Sequence, residues 1–167
     1  MLFIPTAAMQ NEIKAKEITH RLKSELLSVG ILDDNITIHD INGSLTEEEA
    51  MKFDIIYVTG GSASYLARRV KEFGFDEIIK KMVFSNKVYV GMSVGSMLCM
   101  PNFNLDDVYN SEFEGLGLIN AYFSVHCEKG TPNRCDLTLP HIALQENQAI
   151  EVTSDGYGLI ESNLQYE

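Results

Sequence analysis

The sequence predicts an α/β protein built on a doubly wound, mostly parallel sheet of the flavodoxin-like, three-layer kind. Three observations predict it. Short β-branched apolar runs alternate with amphipathic helical stretches; no internal repeat or linker interrupts the series; and residues 54–58 are apolar on both faces, as a central parallel strand covered by helices on both sides must be. A chain of 167 residues and 18.7 kDa fits one domain, residues 1–167. Such a domain buries about 70% of its unfolded surface and needs no metal or disulfide to hold it.

Each element follows from local pattern. Leu2-Phe3-Ile4 is an apolar run stopped by Pro5, which predicts a buried strand. Over residues 11–29, Ile13, Ile18, Leu22, Leu26 and Leu27 share one helical stripe, and Gly30 ends it. Residues 35–40 alternate with period two, predicting a second strand before the Asn42-Gly43 turn, and a short acidic helix follows around Thr46 to Met51. Strand 54–58 ends at Thr59-Gly60-Gly61, after which Ser62 can cap a helix running to Gly74. A further helical piece carries Ile78, Ile79, Met82 and Val83, and residues 87–90 read as the next strand. Residues 97–100 are helix-compatible, 102–114 are polar and loop-like, and later strands are expected over 119–124 and 149–153.

Charge narrows the function. Thirteen Lys+Arg against 24 Asp+Glu give a net charge of −11, which opposes attraction to phosphate backbones and anionic membranes. Neither nucleic acid nor membrane is an expected partner, and an acidic small substrate would need a local basic group to overcome the background field. No apolar run approaches a membrane span, and the opening residues lack a signal-peptide pattern, so a cytoplasmic protein is expected. Cys99, Cys127 and Cys135 are odd in number with no Cys-x-x-Cys, and read as free thiols without a metal site.

The chemistry centres on Gly91-Met92-Ser93-Val94-Gly95, a G-x-S-x-G pattern. The pattern alone is weak, but here a strand enters it and a helix-compatible run leaves it, the arrangement of a nucleophile elbow. The glycines allow the tight turn that exposes the Ser93 hydroxyl at the carboxyl edge of the sheet. Serine needs a base, and the chain offers His20, His39, His126 and His141. His20 lies on the first helix and His39 near an early strand end. His126 closes the strand at 119–125, which puts it on the same edge as Ser93 if that strand is parallel to its neighbours; it is the expected base. For the orienting carboxylate, the stretch between them supplies Asp106, Asp107, Glu112 and Glu114. The order serine, acid, histidine is that of α/β-hydrolases, but the short spacing from Ser93 to His126 leaves no room for their intervening strands and helices, so another fold must carry the elbow.

These residues, together with Phe3-Ile4-Pro5-Thr6-Ala7, Tyr57-Val58-Thr59-Gly60-Gly61, Pro101-Asn102, Gly115-Leu116-Gly117-Leu118, Val125-His126 and Asn147-Gln148-Ala149-Ile150, resemble the dipeptidase E-like serine peptidases of family S51. That family is related to cyanophycinases and has a fold like that of class I glutamine amidotransferases. The resemblance covers nearly the whole chain. It implies a cytoplasmic serine peptidase acting on short peptides, aspartyl dipeptides among the candidates, through an acyl-enzyme and without metal or cofactor. Ser93 corresponds to the nucleophile and His126 to the base. The acid corresponds best to Asp107, with Asp106 as the alternative, and the backbone N–H groups of Gly61 and Val94 correspond to the oxyanion hole.

Three departures accompany it. The family carries a first strand and helix ahead of the Phe-Ile-Pro strand, so the sheet is expected to lack that strand and to leave a gap near Leu2 to Ile4, covered by a second copy in a twofold dimer. The usual Ser-Ala-Gly-Ala is Ser93-Val94-Gly95-Ser96 here. The segment after His126 is shortened, and Arg134, its only arginine, reads as a surface residue. A non-catalytic relative that binds a ligand or partner chain, and a serine esterase or amidase, are the alternative functions.

Overall fold

The central sheet has four strands, β1 (Leu2–Ile4), β2 (Thr37–Ile38), β3 (Ile55–Val58) and β4 (Val88–Gly91), parallel throughout and ordered β2-β1-β3-β4. This is a computed structural model, and it describes residues 1–10, 12–104 and 112–162. Alternation along β1 assigns its two faces. Phe3 packs with Leu22, Ile36 and Tyr57 under helix α1 (Glu12–Ser28), with the Phe3 and Tyr57 rings edge to face at 5.4 Å. Leu2 and Ile4 join Ile56 and Val58 in the larger core on the opposite face.

Three helices follow on that side. α2 (Glu47–Ala50) is closed by a capping box: the Glu49 N–H donates to Thr46 Oγ1 at 3.3 Å, and the Thr46 N–H donates to Glu49 Oε2 at 2.9 Å. α3 (Ala63–Glu72) buries Leu66 and Val70, and α4 (Phe75–Phe84) buries Phe75, Ile79 and Met82. Gly74 joins them in the left-handed region, φ 61°, which glycine occupies at no steric cost. The three-layer arrangement expected from the alternating pattern is present.

Beyond β4 the chain forms α5 (Val94–Met97) and then short strand pairs. β5 (Asn102–Asn104) and β6 (Glu112–Glu114) are antiparallel, β7 (Tyr122–Ser124) and β8 (His141–Ala143) are parallel, and β9 (Gln148–Thr153) and β10 (Gly156–Glu161) form a hairpin. Several expectations need correction. The helix after the elbow sits at Val94–Met97 rather than 97–100, and the described ends of the 102–114 stretch are paired strands rather than loop. β8 is too short for a period to register, and glycines interrupt the apolar pattern of β10.

The expected gap beside Leu2 to Ile4 is absent. β1 is flanked on one side by β2 and on the other by β3, and Leu2, Phe3 and Ile4 are each 0% exposed. Within the described residues, the edges of this sheet are β2, where Ile38 faces solvent, and β4, where Val88 and Val90 do. Among the described residues no helix is long and apolar enough to cross a membrane.

Candidate active site

Close backbone approach explains the glycines of the elbow. A Cβ on Gly95 would sit 2.1 Å from the Val58 carbonyl oxygen, and one on Gly91 would sit 2.7 Å from the backbone of Gly95 and Ser96. Only glycine lets β4 turn into α5 against β3. Two hydrogen bonds lock the turn: Tyr89 Oη donates to the Gly95 carbonyl at 2.6 Å and Ser96 Oγ donates to the Gly91 carbonyl at 2.6 Å. Ser93 at its tip has φ 51° and ψ −115°, a strained state for a residue with a Cβ. The hydroxyl is thereby presented at the carboxyl edge of the sheet.

The glycine turn after β3 borders this site. A Cβ on Gly60 would meet the Ser93 Cβ at 2.9 Å, so the two segments touch. Gly61 has φ 146°, and a Cβ there would lie 2.3 Å from the Ala7 carbonyl oxygen. That carbonyl accepts the Ser62 N–H at 2.7 Å. Thr6, in the 3₁₀ turn Thr6–Ala8, donates from Oγ1 to Asp40 Oδ1 at 2.8 Å and accepts the Ile41 N–H at 2.9 Å. The Pro-Thr-Ala turn after β1 thus seats the Gly60-Gly61 turn. The N–H groups of Gly61 and Val94 donate to no acceptor among the described residues.

His126 follows β7. Its Nε2 lies 2.8 Å from Ser93 Oγ, although the two residues are 33 apart in sequence, and its own φ is 60°. Its Nδ1 lies 2.5 Å from Glu146 Oε1. A carboxylate only accepts, so Nδ1 carries the ring proton and Nε2 is the bare nitrogen facing the serine hydroxyl. The arrangement can pass a proton from Ser93 to His126 while Glu146 fixes the tautomer and stabilises the imidazolium. His126 and Glu146 are both well exposed, at 57% and 71% of their side chains, so the site opens to solvent.

Sequence reasoning missed Glu146, because the search for the acid stopped at the residues between serine and base. The missing signal is non-local. β7 and β8 are parallel with Ser124 opposite Ala143, so the residues after both strands emerge on one edge, His126 from the first and Glu146 from the second. Asp106 and Asp107 lie outside the described residues. Glu114 is engaged elsewhere, its Oε2 accepting from Lys71 Nζ at 3.1 Å. Of the other histidines, His20 faces solvent on α1 and His39 stacks on Phe75 with ring centroids 6.2 Å apart. Arg134 is occupied by its own neighbour, with Nε and Nη2 donating to the two carboxylate oxygens of Asp136 at 3.1 and 2.7 Å. Burial pushes the Cys99 thiol up to about 12, which keeps it protonated and unreactive.

Comparison with known proteins agrees with this architecture. An uncharacterized peptidase of Listeria monocytogenes is 30% identical over 71% of this chain and 57% of its own length. One from Pasteurella multocida is 24% identical over 92% of this chain and 81% of its own. The chain therefore spans little more than half of the first relative and most of the second. Among solved structures, a Listeria monocytogenes protein provisionally assigned to peptidase E superposes with a TM-score of 0.71 at 21% identity, covering 97% of this chain and 86% of that one. A peptidase from an acI-B1 Actinobacterium gives 0.66 at 20% identity over 97% of this chain and 74% of that one. Both carry the same fold. The sequence model of peptidase family S51 matches residues 1–160, and the chain belongs to that family.

Proposed function

We propose that the protein is a cytoplasmic serine peptidase that cleaves short peptides, with Ser93 as nucleophile, His126 as general base and Glu146 as the orienting acid. The observation that carries this reading is the continuous contact from Ser93 Oγ through both ring nitrogens of His126 to Glu146. His126 Nε2 takes the hydroxyl proton as Ser93 Oγ attacks the scissile carbonyl carbon. The carbonyl oxygen becomes an oxyanion, received by the N–H groups of Gly61 and Val94, a contribution of about 3 to 4 kcal/mol per donor in comparable sites. Collapse of the tetrahedral intermediate breaks the C–N bond, and the protonated His126 delivers its proton to the leaving amine. Water, deprotonated by the same nitrogen, then hydrolyses the acyl-Ser93 ester and restores the hydroxyl.

Every role in this scheme falls to the chain's own residues, without metal or cofactor. The substrate class we favour is the dipeptide or short peptide, aspartyl dipeptides among them. The test is labelling with a fluorophosphonate probe, which should modify Ser93 and fail with Ser93→Ala, followed by a panel of aspartyl and other dipeptides. Labelling with ester cleavage but no peptide cleavage would replace the peptidase by an esterase. No labelling would leave a binding protein.

A further inference from the structure

His141 opens β8, is 8% exposed, and is bonded at both ring nitrogens. The Arg134 backbone N–H donates to Nδ1 at 3.2 Å, and Ser124 Oγ lies 3.0 Å from Nε2. An amide N–H needs an acceptor, so Nδ1 is bare and Nε2 carries the proton, which it donates to Ser124 Oγ. This second serine–histidine pair is therefore wired in the opposite sense to the first. Its facing nitrogen already holds a proton and cannot take one from serine, so the pair is a strut rather than a nucleophile and its base.

What the strut joins matters. Ser124 ends β7 just before His126, and β8 leads through Leu144 to Glu146. The two strands pair over three residues each, continued by Leu144 N–H to the Ser124 carbonyl at 2.9 Å and Cys127 N–H to the Leu144 carbonyl at 2.8 Å. So short a pair is marginal by itself. The connecting loop is tied down by the Arg134 amide on His141 and by Asn133 Oδ1, which accepts the Ala143 N–H at 2.9 Å.

We propose that His141 is a positioning residue of the hydrolytic site: clamping Ser124 and the Arg134 amide, it holds β7 and β8 in the register that sets His126 against Glu146. The inference rests on the reading of Ser93, His126 and Glu146 given above. His141→Leu removes both arms of the clamp, and His141→Asn keeps an acceptor near the Nδ1 position. Against a hydrolysed dipeptide, His141→Leu should lower kcat by roughly 10- to 100-fold with KM nearly unchanged, the scale of a small misplacement of catalytic groups. His141→Asn should recover part of the loss.

Independently of turnover, the His126 Nδ1 proton shared with Glu146 should give a far-downfield proton resonance in the wild type. It should shift or broaden away in His141→Leu. A variant that keeps both that resonance and kcat within twofold of wild type overturns the proposal. If His141→Leu does not fold, Ser124→Ala removes one arm from the other side, and an unchanged resonance and kcat there overturn it equally. If the wild type hydrolyses nothing, the catalytic reading falls while the resonance still decides the positioning role. A wild type without the resonance overturns both.

Discussion

Ser93 and His126 both hold a positive φ and also share a hydrogen bond: φ is 51° at the serine and 60° at the histidine, while Oγ and Nε2 lie 2.8 Å apart. Left-handed backbone at a residue with a Cβ costs about 1 to 3 kcal/mol and persists only where the surroundings enforce it. Here the elbow enforces it at Ser93. At His126, the Cys127 N–H bonded to the Leu144 carbonyl helps hold the turn out of β7. Of the three described non-glycine residues with positive φ, Asn86, Ser93 and His126, the last two are the pair that exchanges the proton in the proposed mechanism.

The elbow should tolerate no side chain at its second glycine. Gly95→Ala is expected to destabilise the protein strongly and abolish probe labelling, because its Cβ would enter the Val58 carbonyl. Gly158→Ala, where nothing lies within 4 Å, is expected to change the melting temperature little. Thermal denaturation of both variants checks this, and equal melting temperatures would remove the packing argument.

The acid is assigned by substitution. Glu146→Gln should lower kcat by an order of 10⁴ by analogy with other triad acids, while Asp106→Asn and Asp107→Asn should have small effects. A large loss from Asp107→Asn with a small one from Glu146→Gln would return the role to the residue that the sequence favoured.

Stability should fall with mild acid. Burial lowers the His39 pKa, with Asp40 and Glu49 opposing; burial and Arg134 lower that of His141, with Asp136 opposing. The unfolded chain therefore takes up protons at about pH 6.5, before the folded one does, so stability is full above that value and declines as pH drops below it. The decline should begin above the carboxylate range and be shallower in His141→Asn. A melting temperature that is flat between about pH 7.5 and 5 would contradict it.

The expected dimer must use another surface than Leu2 to Ile4, which lie inside the sheet. The unpaired edge of β4, with Val88 at 53% and Val90 at 40% exposure, is self-complementary about a twofold axis, and pairing two such edges antiparallel would continue the sheet. Light scattering is expected to give a dimer mass that Val90→Lys shifts toward monomer. A monomeric wild type would discard the dimer.

The sequence by itself determined what local pattern can encode. Apolar periodicity marks α1, α3, α4 and the strands β1, β3 and β4, and their alternation dictates a parallel sheet with helices on both faces. The Gly-x-Ser-x-Gly spacing marks the elbow, because the close approach that requires glycine acts within a few residues of chain. His126 is expected beside Ser93 if its strand joins the central sheet; β7 instead pairs with β8 in a two-stranded sheet of its own, so the meeting of His126 with Ser93 is decided by tertiary packing rather than by a shared sheet edge. The position of Glu146 depends on the same pairing of β7 with β8, two three-residue strands whose register is held by main-chain bonds and the His141 clamp, and contacts of that kind leave no period in the sequence. The same holds for β1, whose two flanking neighbours are set by the folding of the chain around it rather than by its own residues.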